Sequence, residues 1–336
     1  MGVRSGLRMK KAVIGLTVFF LLTLLLSGCG LAEGEEAEFG ENLQPLSMED
    51  YTAYGPEPDE ACYTEGKHIY SNENTFDECT YSDKSIRVWT WREWRGDCCF
   101  NVARVKIADP SQLRTAMAQD LIYRNNYVWA TAKAKNAVVA SGGEWLSSNG
   151  GTYTVRMGVT LRAKGYRKRD VLVTDQNGDF HLFKGFFKED LEKLEKDGFT
   201  LINVFNFGPA MIIDGELQYH EGDTWEYVVG FTRSAQPRTG FGQIGPLEYL
   251  MVVTDGRNAP SPLPEGGTKR AKGCNVSTLA KYMYDYGCVQ AYNLDGGGSA
   301  AMYFHGERFS NSTKKRAVTD IVYFATLTGA GYVVKE

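Results

Sequence analysis

The stretch Ile86-Arg87-Val88-Trp89-Thr90-Trp91 alternates apolar with polar side chains, the two-residue period of a half-buried strand. Val102 to Ile107 repeats that pattern a short distance on, so the two segments read as a strand pair. After them Asp109-Pro110-Ser111 punctuates the chain, and Asp109 or Ser111 is placed to cap a short helical stretch over Leu113 to Met117. Ala137 to Ala140 reads as a short buried strand that runs into Ser141-Gly142-Gly143. Val171-Leu172-Val173 and Phe180 to Phe183 flank Asp175-Gln176-Asn177-Gly178-Asp179, which is hairpin chemistry because Asn-Gly adopts positive φ at little cost. Further strands are expected at Ala210 to Ile213, Tyr227 to Phe231, Tyr249 to Thr254 and Asp320 to Ala325, with helices over Lys188 to Asp197 and Val276 to Tyr286. Many strands with few helices between them predict an α+β domain around a mixed, mainly antiparallel sheet, not a doubly wound nucleotide fold.

The N-terminus predicts export. Arg4, Arg8, Lys10 and Lys11 precede an uncharged apolar run from Ala12 to Leu26, which is shorter than the roughly 20 residues that cross a bilayer core and suits a signal peptide. Leu26-Ser27-Gly28-Cys29 then has the form of a lipobox, in which the Cys29 thiol is lipidated and becomes the new N-terminus. The expected organisation is a lipoprotein signal peptide over 1–28, an acidic flexible spacer over 29–60, a Cys-containing extension over 61–85 and one domain over 86–332. The chain would then sit on the extracytoplasmic face of the cell membrane, held by its lipid. A net charge of -4 without a basic run excludes nucleic acid as a partner.

Lipidation of Cys29 leaves Cys62, Cys79, Cys98, Cys99, Cys274 and Cys288, an even set that an oxidising compartment permits to pair. Cys62 with Cys79 is the expected bridge, and Cys274 with Cys288 a second if the intervening helix lets them meet. No CxxC or His spacing supports a zinc site, so no metal ligands are assigned.

The chemistry centres on Asn293-Leu294-Asp295-Gly296-Gly297-Gly298-Ser299, a carboxylate followed by three glycines and a hydroxyl. Backbone N–H groups of Gly296, Gly297 and Gly298 would form a nest for an anion. No Walker lysine follows, which argues against a nucleotide-binding loop. The same chain carries Phe205-Asn206-Phe207-Gly208-Pro209, Pro237-Arg238-Thr239-Gly240-Phe241-Gly242 and Thr254-Asp255-Gly256-Arg257. With Ala108 to Ala116 near the start and Arg316 to Ile321 at the close, these motifs in this order resemble the phosphodiester glycosidase domain family over about 86–324.

That resemblance implies a hydrolase that removes a sugar from a phosphodiester by cleavage at the anomeric carbon. A phosphate monoester is already a stable leaving anion, so fixed positive charge matters more than a proton donor. Arg238 and Arg257 would supply forked donors, and Asp295 and Asp255 would stabilise the cationic carbon, hold hydroxyls or activate water. Asn206 would hydrogen-bond the substrate and Ser299 would assist at the phosphate. No cofactor is demanded, although a divalent cation near Asp255 and Asp295 is compatible with phosphate chemistry.

One departure from the family pattern stands out. Where the family has Asn-Gly-Gly or Asn-Gly-Asp, this chain reads Ser141-Gly142-Gly143-Glu144, so a shorter hydroxyl replaces the amide and Glu144 is the nearby carboxylate. Two functions follow: a tethered hydrolase acting on glycosyl-phosphodiester bonds of surface glycans, or a non-catalytic glycan-binding or exopolysaccharide-assembly protein on the same fold.

Overall fold

The structure, a computed structural model, describes residues 39–48, 51–146, 153–164, 169–185, 188–218, 232–312 and 315–330. Cys29, the signal segment, the first part of the spacer and the strand expected at Tyr227 to Phe231 lie outside them.

The strand pair that opens the domain is a hairpin of Ile86–Arg95 and Cys98–Ile107, in register from Ile86 opposite Ile107 to Arg95 opposite Cys98. It forms part of a nine-stranded sheet. Thr75–Ser82 and Tyr63–Glu65 extend that sheet on one side of the hairpin. On the other side come Glu248–Thr254, Thr239–Gly245, Gln290–Leu294, Ala210–Ile213 and Glu216–Leu217. A second sheet has the order Glu307–Arg308, Met302–Phe304, Ala137–Gly142, Asp320–Ala325, Leu113–Met117. A third runs Phe180–Phe183, Val171–Asp175, Leu201–Phe205, Thr154–Arg156, Val159–Arg162. Every strand pairing in these three sheets is antiparallel.

The core forms where the sheets face one another. Val88, Val105, Phe241, Met251 and Tyr292 of the large sheet meet Val139, Met302, Val322 and Phe324 of the second, all buried in one cluster. The other face of the large sheet is covered by the helix Val276–Asp285, which lays Leu279, Ala280 and Met283 on Leu250, Val252 and Ala291. Asn275 starts this helix by accepting the Thr278 N–H at 2.8 Å, as an N-cap should. Gly240 and Gly242 permit the close packing: a Cβ at Gly240 would lie 2.5 Å from Met283 Sδ.

Several expectations are corrected. Leu113–Met117 is a strand, not a helix. Asp109 caps only the short 3-10 turn Pro110–Gln112, and all five strand residues are buried between layers, where apolar periodicity does not separate strand from helix. The expected boundary at residue 86 falls inside the nine-stranded sheet, because Thr75–Ser82 pairs directly with Ile86–Arg95. The described part of the spacer is tied to the domain: the Leu46 N–H donates to Ser111 Oγ, the Arg114 guanidinium to the Ser47 carbonyl, and Asn136 Nδ2 to the Gly55 carbonyl.

All six cysteines from Cys62 to Cys288 are free thiols. Cys79 lies opposite Glu65, three residues along the strand from Cys62, which is roughly 10 Å. Cys274 and Cys288 flank opposite ends of a 10-residue helix, about 15 Å long. The thiol next to Cys274 is instead that of Cys98, with which it hydrogen-bonds.

Candidate active site

Gln290–Leu294 carries the chain to Asp295 at the end of the large sheet, where the backbone turns sharply through the glycines. The turn is built by close approach. Gly297 sits at φ 61, and a Cβ there would lie 2.8 Å from Arg257 Nη2; one on Gly296 would lie 2.7 Å from the Pro237 carbonyl oxygen. Two of the three N–H groups expected to form an anion nest are taken: the Gly297 N–H donates to Pro237 O at 2.8 Å and the Gly296 N–H to the Asp295 carboxylate. These glycines bring the Asp295 segment against the Pro237-Arg238 segment, and Gly298 contributes its carbonyl to the Arg316 N–H.

The result is a cleft of about 400 Å³ in which Asp295 is the only carboxylate among the described lining residues. Four guanidinium groups border it, those of Arg169, Arg238, Arg257 and Arg316. Arg238 is braced on backbone, with Nε donating to Cys274 O at 3.1 Å and Nη2 to Ser234 O at 2.8 Å. Arg257 donates to Gln236 Oε1 at 2.8 Å, and Arg316 lies 3.8 Å from the Asp295 carboxylate. Burial pushes the Asp295 carboxyl above the usual carboxylate range, against the opposing pull of the Ser299 hydroxyl and the Arg316 charge. Ser299 thus serves Asp295. Trp145 and Phe207 give the cleft apolar surface, with the Arg316 guanidinium 5.6 Å from the Trp145 ring centre.

The remaining expected site residues lie beneath or beside the cleft and do not line it. Asp255 is fully buried, and both of its oxygens are taken: Asn101 Nδ2 donates at 2.8 Å, the Asn311 N–H at 2.6 Å and Ser261 Oγ at 2.6 Å. Burial nevertheless pushes its carboxyl up to about 6. This carboxylate pins the 311 segment to the large sheet. No group of three or more His, Cys, Asp and Glu side chains is arranged to hold a metal ion among the described residues.

Ser141 is buried within Ala137–Gly142, opposite Met302 and Val322, and its hydroxyl donates only to the neighbouring Gly142 carbonyl at 3.3 Å. Glu144 belongs to a sealed cluster with Arg156 and Asp320, all with side chains closed to solvent. Arg156 grips Asp320 Oδ2 through Nε (3.0 Å) and Nη2 (2.8 Å) and lies 3.6 Å from Glu144 Oε2. With two carboxylates on one guanidinium, burial pushes Glu144 up to about 7 and raises Asp320 too. Asn206 caps this cluster through its N–H on Glu144 Oε2 at 2.7 Å, and its Nδ2 donates to Tyr153 O at 2.6 Å. The cluster reaches the cleft through Gly143, whose carbonyl accepts the Asp295 N–H at 3.1 Å and whose missing side chain makes room for the Asp320 carboxylate.

A family model described as phosphodiester glycosidase matches residues 109–325. The chain belongs to the phosphodiester glycosidase family. Among its relatives is YomE, an SPbeta prophage-derived uncharacterized protein of Bacillus subtilis strain 168. It is 26% identical over 200 residues that cover 57% of this chain and 28% of YomE, so the chain spans little more than a quarter of that relative's length. The catalytic domain of zebrafish N-acetylglucosamine-1-phosphodiester alpha-N-acetylglucosaminidase, auto-inhibited by its pro-peptide, aligns with a TM-score of 0.53 at 17% identity. It covers 84% of this chain and 98% of that one, a likeness of fold.

Sequence reasoning thus placed Asp295, Arg238, Arg257, Gly296 and Gly297 on the cleft and passed over Arg169, Arg316, Trp145, Phe207 and Asn293. Phe207, Asn293 and Arg316 stand inside the quoted motifs, where adjacency to Asn206, Asp295 and the closing segment was the available signal.

Proposed function

We propose that this protein is an exported lipoprotein, anchored through Cys29, that hydrolyses glycosyl-phosphodiester bonds in cell-surface glycans. The observation that carries the reading is the composition of the cleft: among its described lining residues, four guanidinium groups surround a single carboxylate. An ordinary glycosidase uses two carboxyl groups, one of them to protonate the leaving oxygen. A phosphate ester needs no such proton, so one carboxylate and fixed positive charge suffice.

In this scheme Arg238 and Arg257 hold the phosphate while Asp295 faces the anomeric carbon. Asp295 takes a proton from water, the water oxygen bonds to that carbon, and the bond to the phosphate oxygen breaks with its electron pair. The raised basicity that burial gives Asp295 favours the proton transfer. Ser141 motivated the non-catalytic alternative, but its hydroxyl contributes nothing to the cleft lining.

The purified protein is incubated with a panel of sugar 1-phosphodiesters in oxygen-18 water. Release of sugar with the label at its anomeric hydroxyl is expected. Label in the phosphate would mean cleavage on the phosphorus side and reject the glycosidase reading, while calorimetric binding without release would favour the glycan-binding alternative. Metabolic labelling with a radioactive fatty acid should mark the wild-type chain and not Cys29→Ala, and an unlabelled wild type would reject the lipid anchor.

A further inference from the structure

Asn293 lies two residues before Asp295, near the end of the strand Gln290–Leu294 that leads to it, and both residues line the cleft. Asn293 is 97% buried, with a relative exposure of 3%. Its orientation is fixed at two points: Nδ2 donates to the Gly208 carbonyl at 2.8 Å, and its backbone N–H donates to the Pro209 carbonyl at 3.0 Å. With the amide nitrogen committed, Oδ1 is the end left over, and it has no hydrogen-bond partner. Among the described residues it is the one buried orphan acceptor that belongs to the cleft lining; those of Glu144 and Asn206 lie in the sealed cluster below.

We propose that Asn293 Oδ1 reads a hydrogen-bond donor, a hydroxyl or acetamido N–H, on the sugar ring whose anomeric carbon faces Asp295. The inference rests on the glycosidase reading and adds the feature of the glycone that the site selects. Two residues along a strand span roughly 6.6 Å, about one pyranose ring, so the donor and the reacting carbon belong to the same sugar. Oδ1 has no partner in the free protein, so a ring that carries the donor gains a hydrogen bond there, and a ring that lacks it leaves the buried acceptor unpaired. Sites of this kind reject analogues that lack the donor far more strongly than apolar pockets reject a missing methylene.

The test compares the wild-type protein with Asn293→Ala and Asn293→Leu. The substrates are sugar 1-phosphodiesters that each lack one hydroxyl, or the acetamido group, at a single ring position. The same series as non-hydrolysable glycosyl phosphonates is titrated by calorimetry, and thermal melting checks each variant for folding. Wild type should lose about hundredfold or more in kcat/KM, and bind the matching phosphonate more weakly, when one particular donor is removed. Both variants should flatten that difference to within about threefold and leave the penalties at other positions unchanged. The position that responds tells hydroxyl from acetamido recognition. Uniform tolerance by the wild type, or variants that keep its penalty, would overturn the role of Asn293 while turnover continued. Selective phosphonate binding without turnover would leave it standing and remove the hydrolase, and absence of binding to every phosphonate would remove both.

Discussion

The cleft around Asp295 and the cluster beneath it use the same chemistry, carboxylates facing guanidinium groups, with opposite charge balance and opposite access. Among the described residues of the cleft four arginines border one carboxylate, and Arg316 stays partly exposed. In the cluster Glu144 and Asp320 share Arg156 alone, and none of the three side chains touches solvent. Excess positive charge at an open surface is what an anionic ligand neutralises. A carboxylate in a sealed interior has no ligand to answer it and keeps a proton instead: burial first, and then the Asp320 charge, push Glu144 up to about 7. The first arrangement is suited to binding and the second to holding the Gly143 segment under Asp295.

The comparison can be broken most sharply at Arg156. Arg156→Leu leaves two buried carboxylates without a cation and should cost about 3–5 kcal/mol of stability, read by urea denaturation. A loss below about 1 kcal/mol would mean the cluster is not the anchor described. Asp295→Asn should do the converse, lowering turnover of a sugar 1-phosphodiester by about a thousandfold with little change in the melting curve.

A smaller effect separates the two regions by pH. The folded-state carboxyl of Glu144 is raised to about 7, above its unfolded value near 4.3, so the folded chain binds the proton more tightly between those limits. Its contribution to stability is fully present below about pH 4.3 and is lost as pH rises towards 7. Glu144→Gln should remove that fall, seen as a flatter difference in unfolding free energy between pH 4.5 and 7. An unchanged slope would show that Glu144 is not the group that titrates. The smallest effect belongs to Ser141→Ala, which removes only a local hydrogen bond and should leave turnover within about twofold. A large loss there would return Ser141 to the substrate site.

Much of the sheet architecture was legible. The hairpin of Val171–Asp175 and Phe180–Phe183 forms around Asn177-Gly178 as its turn chemistry required, with Gly178 at φ 80. Thr239–Gly245 was read as a motif instead of a strand. Its glycines carry little strand signal, and they are there because Met283 and Cys288 press against positions 240 and 242. The glycines after Asp295 were legible as a site, but only the fold shows that Pro237 O takes the Gly297 N–H. Asp255 was misjudged for the same reason: a carboxylate before a glycine reads alike whether it faces a cleft or is closed over by Asn101, Ser261 and Asn311.

By itself, then, the sequence determined the family, the antiparallel α+β class and the position of Asp295 with Arg238 and Arg257, because local alternation, turn residues and ordered motifs are written in neighbouring residues. Only the tertiary structure decided which polar groups share a space. Arg169, Trp145 and Arg316 reach the cleft from segments far apart in the chain, while Ser141 and Glu144, close to Trp145 in sequence, turn inward. Burial and charge balance depend on what the rest of the chain packs against each residue, and no local pattern records that.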